Sequence, residues 1–203
     1  GFLFCEPKIY PKMFWLWVLS LIVQISAKCP DLAQFRSKNI LKSWDPAKMV
    51  GVWYEQAYRD PAQLGASCPT LNTTFDPSTG IMLTAFSVHY GPVPFTIQEQ
   101  YTRVNNTDAA IGMYTKQALM PGGKLLKLAT TMVDTVLSAD GSRYDAYIMY
   151  SCVNVGAEID EVVIVTRDSQ ISNETLASLT SIAEKLNVPL ASALKRVDRS
   201  ACK

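Results

Sequence analysis

Five cysteines and a single histidine, His89, are the side chains best suited to covalent or metal chemistry in this chain. Cys5 stands in an N-terminal leader, which leaves Cys29, Cys68, Cys152 and Cys202. These four are widely spaced with no Cys-x-x-Cys pair, which argues against zinc, and one histidine cannot build a His-based metal cluster. An even number of cysteines behind a leader reads as two disulfides, with three connectivities open. Ser67 and Ser151 lack the Gly-x-Ser-x-Gly elbow that exposes a serine nucleophile. Glu158-Ile-Asp-Glu161 brings carboxylates together, but in a stretch read as a solvated turn. Pro121-Gly-Gly123 reads as a turn and not as a phosphate-binding loop, and His89 as a solvated strand residue. No catalytic residue, metal or cofactor is expected, and the chain is not expected to be an enzyme.

The elements behind these residues are those of a globular, exported protein. Hydrophobic residues make up 48% and charged ones 18% of 203 residues, which excludes a disordered chain. Nineteen Lys and Arg face eighteen Asp and Glu, a net charge of +1, so there is no basic surplus to neutralise phosphates and nucleic acid is not expected as a partner. The run from Met13 to Ile25 is apolar except for Ser20 and Gln24. It is short of the roughly 20 residues a membrane span needs, and suits a signal peptide with Lys12 before it and Ser26-Ala27 after it. A buried helix or an uncleaved anchor is the alternative. The expected organisation is a leader over 1–27, with Met13–Ala27 as signal peptide, and one domain over 28–203. No further long apolar run follows, so no integral membrane segment is expected in the mature chain. Secretion, or residence in the lumen of an internal compartment, follows. Asn72, Asn105 and Asn173 head Asn-x-Thr sequons and are candidate glycosylation sites.

Between Gly51 and Arg167 short apolar and β-branched runs alternate with turn residues. The runs are Val52–Tyr58, Thr70–Phe75, Ile81–Tyr90, Phe95–Val104, Ala110–Leu119, Leu125–Met132, Thr135–Ser138, Tyr144–Cys152 and Val162–Thr166. Strands recurring every 8–12 residues or so without intervening helix predict a sandwich or an antiparallel barrel. From Asn173 to Leu186 the period changes, with Leu176, Leu179, Ala183 and Leu186 on one face and Ile182 beside them. Ser172 caps this predicted helix, and Asn187 with Pro189 ends it.

Three blocks in this order resemble the lipocalins. They are Asp45-Pro-Ala-Lys-Met-Val-Gly51-Val-Trp53-Tyr-Glu55, Tyr144-Asp-Ala-Tyr147-Ile-Met-Tyr150-Ser-Cys152, and Val163-Ile-Val-Thr-Arg167-Asp168. The resemblance covers Cys29 to Cys202 and is closest to the apolipoprotein D and bilin-binding group, by Cys29-Pro30, Trp53-Tyr-Glu55 and Tyr150-Ser-Cys152. Two departures stand out. Gly-Ser-Arg separates Ala139-Asp140 from Tyr144, and Gly80–Asn105 offers more strand than the family's third strand needs, either as a long bent hairpin or as an insertion.

The resemblance implies an all-β fold, an eight-stranded antiparallel up-and-down barrel with one C-terminal α-helix packed outside. It implies that Gly51, Trp53 and Arg167 are structural, with the guanidinium lying across the indole. It pairs Cys29 with Cys152 and Cys68 with Cys202. Strand parity then directs Glu55 and Ala57 inward with Trp53, and Val163 and Val165 inward with Arg167. The match to the second block directs Tyr147 and Met149 inward. Ala57, Tyr147, Met149, Val163 and Val165 would line an apolar pocket with one polar handle, while Glu55 is expected to be buried and hydrogen-bonded near the base. The implied function is a secreted carrier of a small hydrophobic ligand: fatty acid, sterol, retinoid, carotenoid or tetrapyrrole. The alternatives are a lipid-modifying or isomerase lipocalin, or a filled barrel that binds a protein partner through its loops. A cell-surface receptor or an oligomer is a possible further partner.

Overall fold

Inward and outward residues alternate along eight consecutive strands, and the hydrogen-bonding ladder closes on itself. The computed structural model describes residues 29–200 and Cys202, apart from 124, 125, 156 and 157. The expected signal peptide, Met13–Ala27, lies outside the described residues. The strands are β1 (Gly51–Arg59), β2 (Ala66–Asp76), β3 (Ile81–Tyr90), β4 (Val93–Arg103), β5 (Met113–Ala118), β6 (Lys127–Leu137), β7 (Tyr144–Asn154) and β8 (Glu158–Thr166). Each pairs antiparallel with its sequence neighbour, and β1 pairs with both β2 and β8. A two-residue strand, β9 (Lys195–Arg196), adds to β1 at Ala57 and Tyr58. The fold is the expected barrel with this one addition.

Up-and-down connectivity places alternate loops at opposite ends. One end is closed by the segment before β1, which holds a 3₁₀ turn (Leu32–Phe35), the helix α1 (Lys38–Ser43) and a second 3₁₀ turn (Pro46–Met49). Ser37 caps α1 by accepting the Ile40 amide at 3.2 Å. Ile40 is fully buried, and Gly112 lies so close that a Cβ there would stand 2.7 Å from the Ile40 methyl. The Trp44 indole stacks on Tyr144 and donates to the Tyr114 hydroxyl at 2.8 Å. The β6–β7 turn that departed from the family pattern is organised by Asp140. Its carboxylate accepts from the Ser138 and Ser142 hydroxyls and the Ser142 amide, and these bonds hold its pKa down at about 2.

Outside the barrel lies α2 (Asn173–Lys185), capped by Ser172 as its sequence predicts. Leu179 and Ala183 are buried against Val133, Ile148, Tyr150, Val162 and Ile164, with Leu32 and Phe35 completing this outer cluster. The disulfides join Cys29 to Cys152 and Cys68 to Cys202, closing separations of 123 and 134 residues. In the chain-entropy model each loop of that size contributes up to about 4–5 kcal/mol.

One expectation about strands is corrected and one alternative is decided. The runs Leu125–Met132 and Thr135–Ser138 are one strand, β6, which keeps its pairing to β7 through an extra residue between Met132 and Asp134. Of the two alternatives for the long stretch from Gly80 to Asn105, the structure has the long hairpin and not the insertion. It is a β3–β4 hairpin in unbroken register from Met82↔Tyr101 to Tyr90↔Val93.

Candidate functional site

The barrel interior has two layers of different chemistry. In the lower layer Trp53, Tyr147, Met149, Val163 and Val165 pack with Leu71, Met82 and Met132 in one buried cluster. Arg167 lies 3.6 Å from the centre of the Trp53 ring, and its guanidinium donates to the carbonyls of Val52, Val50, Lys48 and Tyr144. The space enclosed by Met49, Met82, Tyr101, Met132, Tyr147 and Met149 is about 10 Å³, no more than one water would need. Tyr147, Met149, Val163 and Val165 therefore face the interior and are closed over one another.

Ala57 does not face the interior. Gln56 is an extra residue in β1 between the pairs Glu55↔Val165 and Ala57↔Ile164. Such a bulge reverses the alternation beyond it. Ala57 consequently shares the outward side of Ile164, and Tyr58, opposite Val163, takes the inward place.

The upper layer is charged. Lys116 on β5, only 6% exposed, is ion-paired to Glu161 on β8 and lies 3.4 Å from Glu99 on β4. Tyr101 donates to the other oxygen of Glu99 at 2.8 Å. Burial disfavours the Lys116 ammonium, but Glu161 and Glu99 outweigh it and hold its pKa above the ordinary lysine value. The expectation that Glu161 sits in a solvated turn is thus overturned: β8 begins at Glu158, and Glu161 takes the inward parity of Val163 and Val165.

Glu55 also points into this layer. It is 2% exposed, and burial raises its pKa well above the ordinary value, against a hydrogen bond from Gln63 and with repulsion from Glu161. Gln63 stands beside Glu55 as the neighbour that steadies its carboxylate form. The Oε2 of Glu55 and the Oε1 of Gln63 are buried acceptors without a partner. Each such group carries a desolvation cost that a bound donor would relieve.

Asp60, at the start of the β1–β2 loop, completes the acidic set. Burial, then Glu161, raises its pKa to about 6. A carboxyl whose folded pKa lies above its unfolded value contributes stability below pH 4, and loses it as pH rises through 6. Asp60→Asn, which keeps the cap on the Ala62 amide, is expected to flatten the fall in Tm between pH 4 and 6. An unchanged pH profile of Tm would assign that fall to another group.

Above the charged layer the mouth is apolar. Phe95 and Val93 carry the inward parity of Ile97 and Glu99, yet are 43% and 60% exposed because β4 outruns β5, whose pairing stops at Glu99↔Ala118. Leu119, Met120 and Leu126 of the β5–β6 connection are exposed at the same end, as is Leu64 of the β1–β2 loop at 88%. The Tyr90 hydroxyl ties that loop to the hairpin by donating to the Ala62 carbonyl at 2.9 Å.

The remaining candidates lie at the surface. Asn72 is exposed on β2, Asn105 in the β4–β5 loop and Asn173 at the start of α2. His89 is exposed on β3. Among the described residues no cluster of His, Cys, Asp and Glu could hold a metal ion, and no helix is long and apolar enough to cross a membrane. Sequence reasoning missed Lys116, Glu99 and Gln63. The available signal was the inward parity of Lys116 with Tyr114, two positions earlier.

No family model and no curated protein matches the chain. Solved structures match its fold. Apocrustacyanin C1 is 15% identical with a TM-score of 0.62, over 86% of this chain and 90% of that one. Lobster apocrustacyanin A1 is 17% identical with a TM-score of 0.60, over 84% and 87%. Insecticyanin from the tobacco hornworm Manduca sexta is 14% identical with a TM-score of 0.63, over 86% and 87%. These are lipocalin barrels, and the likeness is one of architecture.

Proposed function

We propose that this chain, a barrel of lipocalin architecture, is a non-catalytic carrier that holds a small lipophilic molecule in the upper half of the barrel. The observation that carries this reading is the set of inward-directed apolar side chains left open at the mouth, Phe95 and Val93 foremost. Apolar surface kept in water forgoes about 25 cal/mol per Å², which a ligand seated there recovers. Phe86 and Ile97, half-buried below the rim, continue the apolar wall downward. Met149 and Val163 form the floor, with Tyr147 and Val165 beneath them. Both disulfides suit folding in an oxidising compartment and, with the signal-like leader, an exported carrier. Glycans at Asn72, Asn105 and Asn173 would project from the surface.

One observation favours a second reading. The lower layer is packed to about 10 Å³, as in a filled barrel whose rim and loops bind a protein partner. Ligand content separates the two. The protein exported from an oxidising host is expected to yield a small lipophile on extraction, or to bind a retinoid probe saturably at one site. Phe95→Asp is expected to weaken that binding about tenfold or more. A folded protein with both disulfides that yields no lipophile on extraction and shows no saturable binding would overturn the carrier reading in favour of the filled barrel.

A further inference from the structure

We propose that the ligand's polar end is a cation, an ammonium group on an apolar body, received by Glu55, Glu161 and Glu99 beneath the mouth. This rests on the carrier reading and specifies its chemistry. Three observations converge on it. The first is charge balance. Lys116 faces the carboxylates of both Glu99 and Glu161, so the layer holds an excess of negative charge even with Glu55 as the neutral acid, and Asp60 adds to it from the loop above. Arg199 does not redress this from inside: its guanidinium lies on the outer side of β1, on the carbonyls of Glu55 and Pro69. One ligand ammonium neutralises the Glu99–Lys116–Glu161 set.

The second observation is hydrogen-bonding capacity. The groups left unpartnered in the layer are Glu55 Oε2 and Gln63 Oε1, both buried on residues no more than 2% exposed. The neutral Glu55 acid has a single O–H to offer between them, whereas an ammonium brings three donors. A carboxylate ligand brings none and would add a further negative charge to a dry acidic site, where unpaired charge is most costly. A neutral alcohol brings one donor and no charge.

The third observation is placement. The acids lie directly below apolar side chains of the same inward parity, with Glu99 two residues from Ile97 and four from Phe95 on β4. A molecule entering tail-outward sets its charged end against the acids and its apolar body against Phe95, Val93 and Ile97. Of the ligand classes that the family resemblance implies, those bearing carboxylates, fatty acids and tetrapyrroles among them, fit this layer worst.

The experiment compares three probes with one tail: decylamine, decanol and decanoate, titrated at pH 7 by calorimetry into the exported, disulfide-bonded protein. Decylamine is expected to bind at least about tenfold more tightly than decanol, and decanoate more weakly than either. Glu99→Gln removes the excess charge, keeps the shape and leaves Lys116 paired to Glu161, so it is expected to fold and to abolish most of the amine-over-alcohol preference. If decanol or decanoate binds as well as decylamine, the cation inference is overturned while the carrier reading stands. An amine preference unchanged in Glu99→Gln likewise overturns the placement at this acidic set. If none of the three binds to folded protein that does take up a retinoid probe, the cation inference is overturned while the carrier reading stands; if the retinoid fails as well and no lipophile is extracted, the carrier reading itself fails.

Discussion

Lys116→Met is expected to lower the unfolding free energy by about 3–5 kcal/mol at pH 7, measured by urea denaturation with both disulfides intact. The ammonium of Lys116 is ion-paired to Glu161 and lies beside Glu99; the Lys116 and Glu161 side chains are buried, and that of Glu99 is 15% exposed. Methionine fills much the same volume, so the loss arises from electrostatics and not from a cavity. Two carboxylates would then face each other and Glu55 across a dry interior without a cation, and the cost of stranding a buried charge exceeds the net worth of the pair that held it. The triple variant Lys116→Met, Glu99→Gln, Glu161→Gln tests this cause. It removes the stranded charge along with the pair, so it is expected to regain most of the lost stability. A Lys116→Met loss below about 1 kcal/mol would match an exposed ion pair and would mean that water reaches the layer. A triple variant as unstable as the single one would shift the cause from charge to packing.

This charged layer is also where sequence reasoning went furthest astray, for physical reasons. Lys116 and Glu161 lie 45 residues apart on strands that are not neighbours in the sheet, so no local spacing announces their contact. Glu158-Ile-Asp-Glu161 has the composition of a turn, and only the extension of β8 across from β7 brings its last residue indoors. The bulge at Gln56 is equally silent. Glu55-Gln56-Ala57 contains neither Gly nor Pro, and the single extra residue that exchanges Ala57 for Tyr58 shows itself only in the pairing with β8. Other features were legible because their causes are local. The helix α2 follows from its 3.6-residue period and the Ser172 cap. The Trp53–Arg167 contact is not local: the resemblance of their two blocks to the lipocalins implied it, and the structure contains it. The disulfide pairing falls between these cases: spacing left three connectivities open, and the resemblance to a known barrel selected the pair of bridges that the structure contains.

At the closed end, Trp53→Ala is expected to cost about 3–5 kcal/mol, the range for removing a large buried aromatic, again read from urea denaturation. Trp53 is fully buried, donates its indole N–H to the Met49 carbonyl at 2.7 Å, and meets the Tyr147 ring edge-on at 4.8 Å between centres. Its loss opens a cavity and removes the face on which Arg167 rests. Arg167 shows why the site admits no simple exchange. Its guanidinium spans carbonyls of the segment before β1, of β1 itself and of β7, which the point charge of a lysine cannot do. Gly51 makes room for it. The backbone there has φ of +112°, and a Cβ would stand 2.8 Å from the Arg167 Nη1. Arg167→Lys is therefore expected to be clearly destabilising although its charge is kept. Neither variant touches the charged layer, so the folded fraction of Arg167→Lys should retain the order of amine, alcohol and carboxylate binding. Lost stability with an unchanged ligand order would separate the part of the interior that holds the barrel shut from the part that meets a ligand. A changed order would mean that the two layers act as one.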